Sequence, residues 1–142
     1  MVEDLSYSPL HILHRLEELR PAKVVVVSAV ARGDDRPGAV RRYLIDPTPP
    51  PPDEVHGLLV EALVGEVGLE QALAVLRHWR ALPTGSVAIE IEPGDVSAGL
   101  GLSQDVAGSI DAVLCAVRSE IGSGLSTATT VSDERISELL AT

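Results

Sequence analysis

The stretch Val24-Val25-Val26-Val27-Ser28-Ala29-Val30 decides the fold class of this chain. Valine is β-branched and favours extended backbone, and an unbroken apolar run is typical of a parallel strand that is covered on both faces. In open α/β sheets, ligands bind beyond the carboxyl ends of such strands. The run therefore predicts an α/β protein, and it places the small polar residue Ser28 where a functional site is expected.

The length and composition of the chain set its organisation. It has 142 residues, of which 45% are apolar, and this is enough for the core of one compact domain. We expect that domain to occupy residues 1–121, and we expect a flexible tail with a short helix over residues 122–142.

Charge and aromatic content exclude several classes of partner. The net charge is −10 and only 2% of residues are aromatic, so the chain lacks both the basic surface and the stacking side chains that nucleic-acid binding requires. No apolar run approaches the ~20 residues that span a membrane, and the first residues are acidic, unlike a signal peptide. The sequence predicts a cytoplasmic protein.

Further helices and strands follow from capping residues and periodicity. Ser8-Pro9 predicts the start of a helix whose buried face carries Leu10, Leu13, Leu16 and Leu19. Second and third strands are expected at residues 39–45 and 86–92, and helices from Asp53, from Gly68, and from Ser103 to about Glu120. The proline run at residues 49–52 is interpreted as a spacer, with a docking strip as the alternative.

Three groups of segments, in this order, resemble one known family. They are Val24-Val25-Val26-Val27-Ser28-Ala29-Val30 with Arg32-Gly33 and Pro37-Gly38-Ala39-Val40; Val67-Gly68-Leu69-Glu70-Gln71-Ala72-Leu73 with Leu82-Pro83; and residues 87–93 with Gly101-Leu102-Ser103. The family is that of the hydrogenase maturation proteases, endopeptidases that trim the C-terminus of the nickel-iron hydrogenase large subunit. The resemblance extends from about Leu5 to about Glu120.

The resemblance implies a fold and a partner. The fold is a three-layer α/β/α arrangement around a small, mostly parallel sheet, here without the opening strand of the family. The partner is the precursor of the hydrogenase large subunit. Nickel enters only as a metal that this substrate already carries, and the family holds it against the protease with two acids and a histidine.

The three ligand positions of the family are absent or altered here. The first acid belongs to a glycine-rich loop after the missing opening strand, and Ser28 stands where the second acid is expected. The histidine falls on Gly65, with Glu66 beside it. A neutral hydroxyl is a poor ligand for a divalent transition metal, so no catalytic, cofactor-binding or metal-binding residue is assigned.

Three functional hypotheses remain open. The first is a divergent maturation protease whose glycine loop lies upstream. The second is a non-catalytic relative that binds a hydrogenase subunit. The third is an α/β binding module that is similar to the family only in architecture. Loss of the opening strand would leave one sheet edge unpaired, which predicts a homodimer formed by strand addition.

Other polar residues have a structural and a functional interpretation. Glu90, Glu92 and Asp95 surround the end of the third strand, where they could perform acid–base chemistry or bind a cation, although a solvated strand end is favoured. The remaining candidates are interpreted as surface, capping or core residues rather than sites: Glu54 with His56, His11 with His14, His78-Trp79-Arg80, and Cys115 as a small buried residue.

Overall fold

The computed structural model describes residues 2, 4, 8–33, 36–64 and 68–122, with the side chains of 61–64 left aside. The chain divides into two compact units, one comprising Met1–Val24 and Asp46–Thr84, and the other Val25–Ile45 and Gly85–Thr142. We call them the helical unit and the sheet unit. The expected tail, with its short helix, lies outside the described residues.

The helical unit contains three helices. They are α1 (Pro9–Leu19), α2 (Pro52–Val64) and α3 (Leu69–His78), and α3 packs against both of the others. The Ser8 hydroxyl accepts a hydrogen bond from the His11 N–H at 3.4 Å, which confirms the predicted start of α1. Helix α2 begins one residue earlier than expected, so Asp53 lies in its first turn.

The buried face of α1 differs from the predicted leucine face. Ile12 and Leu13 are buried, whereas Leu10 is 50% and Leu19 is 43% exposed. Residues three apart fall about 60° short of a full helical turn, so a leucine at every third position moves progressively around the helix. The four leucines therefore cannot share one face.

The sheet unit contains a mixed three-stranded sheet in the order β1-β3-β2. Strand β1 (Val25–Ala29) is parallel to β3 (Val87–Ile91), and β2 (Val40–Leu44) is antiparallel to β3. The α/β class is confirmed, but the sheet is mixed rather than mostly parallel. The loop between β1 and β2 is too short for the crossover that a strand of the same direction requires, so β2 runs back.

One face of the sheet packs against a helix. Two helices follow β3 in this unit, α4 (Gln104–Gly108) and α5 (Ile110–Gly122). Val113 and Ala116 of α5 join Ile89, Ile91 and Val40 in a buried cluster. The predicted single helix from Ser103 is in fact two, because the chain turns at Ser109, whose hydroxyl donates to the Gly38 carbonyl.

Cys115 corrects another expectation. It is exposed on α5, whereas its apolar neighbours predicted a buried position. The buried positions of this helix are Val113, Ala116 and Glu120, at spacings of three and four residues. The run around Cys115 is apolar throughout, and therefore it carries no periodicity that identifies the buried face.

None of the helices in the described part of the chain is long and apolar enough to cross a membrane.

Candidate functional site at the end of strand β3

The buried carboxylate of Glu90 forms an ion pair with Arg32. Arg32 Nε donates to Glu90 Oε2 at 3.0 Å, and Arg32 Nη2 donates to Glu90 Oε1 at 2.9 Å. The Glu90 side chain is 4% exposed and the Arg32 side chain 36%. Because both oxygens accept from one guanidinium, the pair is bidentate, the geometry in which arginine binds carboxylates most strongly.

The second acid at the strand end, Glu92, is held by backbone N–H groups. Its Oε2 accepts from the Arg32 N–H at 3.0 Å and its Oε1 from the Gly33 N–H at 3.2 Å. Gly33 has a φ of 74°, a left-handed conformation that glycine adopts without a steric penalty. Successive N–H groups of this kind form a concave anion site, and here a side chain of the protein fills it.

Backbone hydrogen bonds attach both ends of the loop between β1 and β2 to β3 and the residue after it. Val30 N donates to Ile91 O at 3.1 Å, Gly38 N to Glu92 O at 2.8 Å, and Glu92 N to Ala39 O at 2.9 Å. A Cβ on Gly38 would lie 2.6 Å from the Asp105 carbonyl oxygen, so only glycine permits this approach. The loop and the strand end therefore form one hydrogen-bonded unit.

Ser28 lies in the same row of the sheet as Glu90. The strand register pairs Ser28 with Glu90 and pairs Glu90 with Arg41, so the three side chains share one face. On this face, Arg32 Nη2 also lies 3.5 Å from the Tyr43 hydroxyl oxygen. Ser28 is the second-to-last residue of β1, and its acidic partner Glu90 was not predicted.

Asp95 is separate from the Arg32 contacts. It is exposed, and Ser97 lowers the pKa of its carboxyl through its hydroxyl and its backbone N–H, the latter at 2.8 Å. A carboxyl with a lowered pKa stays ionised near neutral pH and is a poor general acid. Asp95 fits a local turn better than proton transfer.

Hydrogen bonds from the protein itself hold both acids at the end of β3. The oxygens of Glu90 accept from the Arg32 guanidinium, and those of Glu92 accept from backbone N–H groups. General acid–base catalysis needs a carboxyl within reach of a substrate proton. These contacts instead fit a structural role for both carboxylates, which fix the loop against the strand.

The histidine positions are exposed or engaged locally. His14 Nδ1 lies 3.6 Å from Glu17 Oε2 on the surface of α1, and Glu54 and His56 are both exposed on either side of the buried Val55. His78 contacts Trp79 edge to face, with ring centroids 4.6 Å apart. Among the described residues, no three histidine, cysteine or acidic side chains are grouped so that they could hold a metal ion.

Gly65 and Glu66, which align with the histidine ligand of the family, lie outside the described residues, and so do Asp34 and Asp35.

Two arginine–glutamate pairs of the structure were not predicted from the sequence. The sequence places Arg32 only in a segment that resembles the family. Arg42 Nε donates to Glu120, a buried acid on α5. One signal was available for the first pair, because two parallel strands end at the same edge of a sheet, where Arg32 follows β1 and Glu90 is the second-to-last residue of β3. Nothing in the sequence relates Arg42 to Glu120, which is 78 residues away.

No family model matches this chain, and no curated protein or solved structure is significantly similar to it. The functional conclusion therefore depends on the residues and on their geometry.

Proposed function

We propose that this chain is a non-catalytic relative of the hydrogenase maturation proteases, which binds the precursor of a nickel-iron hydrogenase large subunit without cleaving it. The pairing of Arg32 with Glu90 is the observation that carries the proposal. An acid that served a metal or a substrate at this strand end would present oxygen atoms to it, whereas both oxygens of Glu90 accept hydrogen bonds from the protein itself.

The positions of the family-like segments support the same proposal. The valine run forms β1, Arg32 and Gly33 bind the acids, Gly38 approaches α4 closely, and residues 87–93 form β3 and its end. In the sheet unit, the segments that resemble the family thus adjoin one another. A retained framework with a serine at position 28 fits a protein that kept the fold and lost the metal ligand.

The proposal carries further expectations for the whole protein. They are the three-layer α/β/α arrangement of the family, a location in the cytoplasm, where hydrogenase subunits are matured, and nickel only as a metal borne by the partner.

A homodimer is also part of the proposal. Strand β1 is at the edge of the described sheet, it carries no charged residue, and Val27 on it is 47% exposed. An uncharged edge can pair with a second copy by strand addition. Size-exclusion chromatography with light scattering should give a dimer that Val27→Lys dissociates, and a monomer at high concentration would contradict this expectation.

The binding proposal is tested by co-expression. The tagged chain is produced together with the large-subunit precursor of a nickel-iron hydrogenase, and the purified material is analysed by intact-mass spectrometry. We expect a complex that contains the precursor at its full, untrimmed mass. A precursor that lacks its C-terminal extension serves as the matched control and separates binding to the extension from binding to the folded subunit.

Two results would overturn the proposal. If the precursor does not co-purify, the binding role fails. If the precursor loses its extension, the chain is a protease, provided that Glu92→Gln or Ser28→Ala in this chain abolishes the trimming and thereby excludes a contaminating enzyme.

A further inference from the structure

The helical unit has a groove at the ends of two of its helices. Its volume is about 600 Å³, and it is lined by the last turn of α1 and by the segment that follows α3. Residues on its walls include Glu17, Arg20, Pro21, Trp79, Arg80 and Leu82. Sites for small ligands and short peptides have volumes of this order.

Both arginines of the groove have left-handed backbone. Arg20 has a φ of 43° and Arg80 a φ of 55°, and no other non-glycine residue in the described part of the chain has a positive φ. Helices often end with a residue in this conformation, and that residue is usually glycine because a Cβ is unfavourable there. Arginine therefore occupies two positions where glycine would be more stable.

Helix capping alone does not explain why arginine occupies these two left-handed positions. A cation near a helix C-terminus interacts favourably with the helix dipole, but it does so equally well from the last helical turn. Helix α3 already has Arg77 in that turn, with ordinary helical backbone. Strained backbone at ligand sites is a recognised way of positioning a side chain, and both strained residues line the same groove.

The groove is lined by a tryptophan as well as by these two arginines. Trp79, the only tryptophan in the chain, is 46% exposed. Within the described residues, neither the Arg20 nor the Arg80 side chain has an ion-pair partner, and Glu17 lies near His14. In a chain with a net charge of −10, these two arginines give one groove two positive charges against the single negative charge of Glu17, which favours an anionic ligand there.

We propose that this groove binds a short acidic peptide, with a carboxylate held by Arg20 and Arg80 and an adjacent apolar side chain against Trp79. Arginine pairs with carboxylates through parallel N–H donors, and tryptophan contributes a large apolar surface at binding sites. This inference is independent of the proposed hydrogenase partner, because it depends only on residues of the helical unit.

Because the chain has one tryptophan, its fluorescence reports directly on the groove. The probe is the peptide acetyl-Leu-Glu-Leu-amide, and acetyl-Leu-Gln-Leu-amide is the control of equal size without the charge. We expect a saturable change in Trp79 fluorescence with the glutamate peptide and at least tenfold weaker binding of the glutamine peptide.

The variants Arg20→Gly and Arg80→Gly test the arginines without disturbing the backbone. Glycine favours the left-handed conformation, so both variants should fold with an unchanged or higher Tm, and each should weaken binding of the glutamate peptide at least tenfold. Arg118→Ala, which removes an exposed arginine from α5, is the matched control and should bind as the wild type does.

Three results would overturn the inference. They are the absence of a saturable fluorescence change, equal binding of the two peptides, and glycine variants that bind the glutamate peptide as tightly as the wild type. In the last case the two arginines would be helix caps only.

Discussion

Arginines at two places in this molecule have opposite surroundings. At the end of β3, Arg32 is committed to the buried Glu90, with both N–H···O distances at or below 3.0 Å. In the groove of the helical unit, Arg20 and Arg80 have strained backbone and no ion-pair partner among the described side chains. The same residue type thus stabilises structure in one place and remains available to a ligand in the other.

The two groups of arginines differ in whether the fold supplies an acidic partner. Arg32, in the loop after β1, pairs with the acid Glu90 on the neighbouring parallel strand, so its charge is satisfied within the fold. Arg20 and Arg80 occupy helix ends where the backbone favours glycine, so an arginine there lowers stability relative to glycine. Substitutions should therefore lower stability at the first place and raise it at the second.

The largest effect is expected for Arg32→Ala. This substitution leaves the buried Glu90 carboxylate without its partner, which costs about 3 kcal/mol of unfolding free energy. We place the value at the lower end of the range for broken buried pairs because the Arg32 side chain is 36% exposed. Urea denaturation followed by circular dichroism measures the change.

Arg36→Ala is the matched control for Arg32→Ala. Arg36 is exposed on the same loop, so its substitution should change stability by no more than about 0.5 kcal/mol. Equal effects of the two substitutions would show that general loop charge, rather than the pair with Glu90, stabilises the strand end.

The next largest effect is expected for Arg42→Ala. Its partner Glu120 is only 8% exposed, but the two groups are joined through one Nε donor rather than through a bidentate contact. We expect a loss of about 2 kcal/mol, with the α5 helix loosened from the sheet. Hydrogen exchange of the α5 amides should become faster, and unchanged exchange would argue against this linking role.

A change of opposite sign is expected for Arg80→Gly. Relief of the left-handed backbone at this position should raise stability by about 0.5–1 kcal/mol, after allowance for the greater freedom of glycine in the unfolded chain. Thermal unfolding of the variant measures the gain in Tm. A lower Tm would mean that the Arg80 side chain stabilises the end of α3. That result would contradict the expected difference between Arg80 and Arg32.

The smallest effect concerns Asp95. The Ser97 hydroxyl and backbone N–H lower the pKa of this carboxyl in the folded protein, so its contribution to stability is present above the unfolded pKa and is lost as the pH falls through the folded one. A carbon NMR titration should give a midpoint below that of an ordinary aspartate. Ser97→Ala should raise the midpoint, and an unchanged midpoint would exclude the hydroxyl as a cause.

The sequence indicated the local structure of this chain better than its packing. The valine run predicted β1, and the serine and proline before α1 predicted its start, because both signals are short-range. The predicted leucine face of α1 was correct only in part and the predicted burial of Cys115 was wrong, since burial depends on which neighbour covers a helix. The break at Ser109 was missed because it depends on a contact with Gly38, 71 residues earlier.

The candidate site was predictable only in part. The strand end and its acids at positions 90 and 92 follow from the chain order, but the Arg32–Glu90 pair joins residues 58 apart and needs the register of β1 and β3. The groove was not foreseen at all. The feature that identifies the groove is the positive φ of Arg20 and Arg80, and backbone dihedral angles cannot be inferred from the sequence of these segments.

A double-mutant cycle across Arg32 and Glu90 tests directly whether this pair is structural. Unfolding free energies are measured for the wild type, Arg32→Ala, Glu90→Ala and the double variant. We expect a coupling energy of about 2 kcal/mol or more, because either single substitution leaves the other charge without its partner. Additive effects of the two substitutions would contradict it, since Glu90 would then be free to serve a substrate or a metal at the strand end.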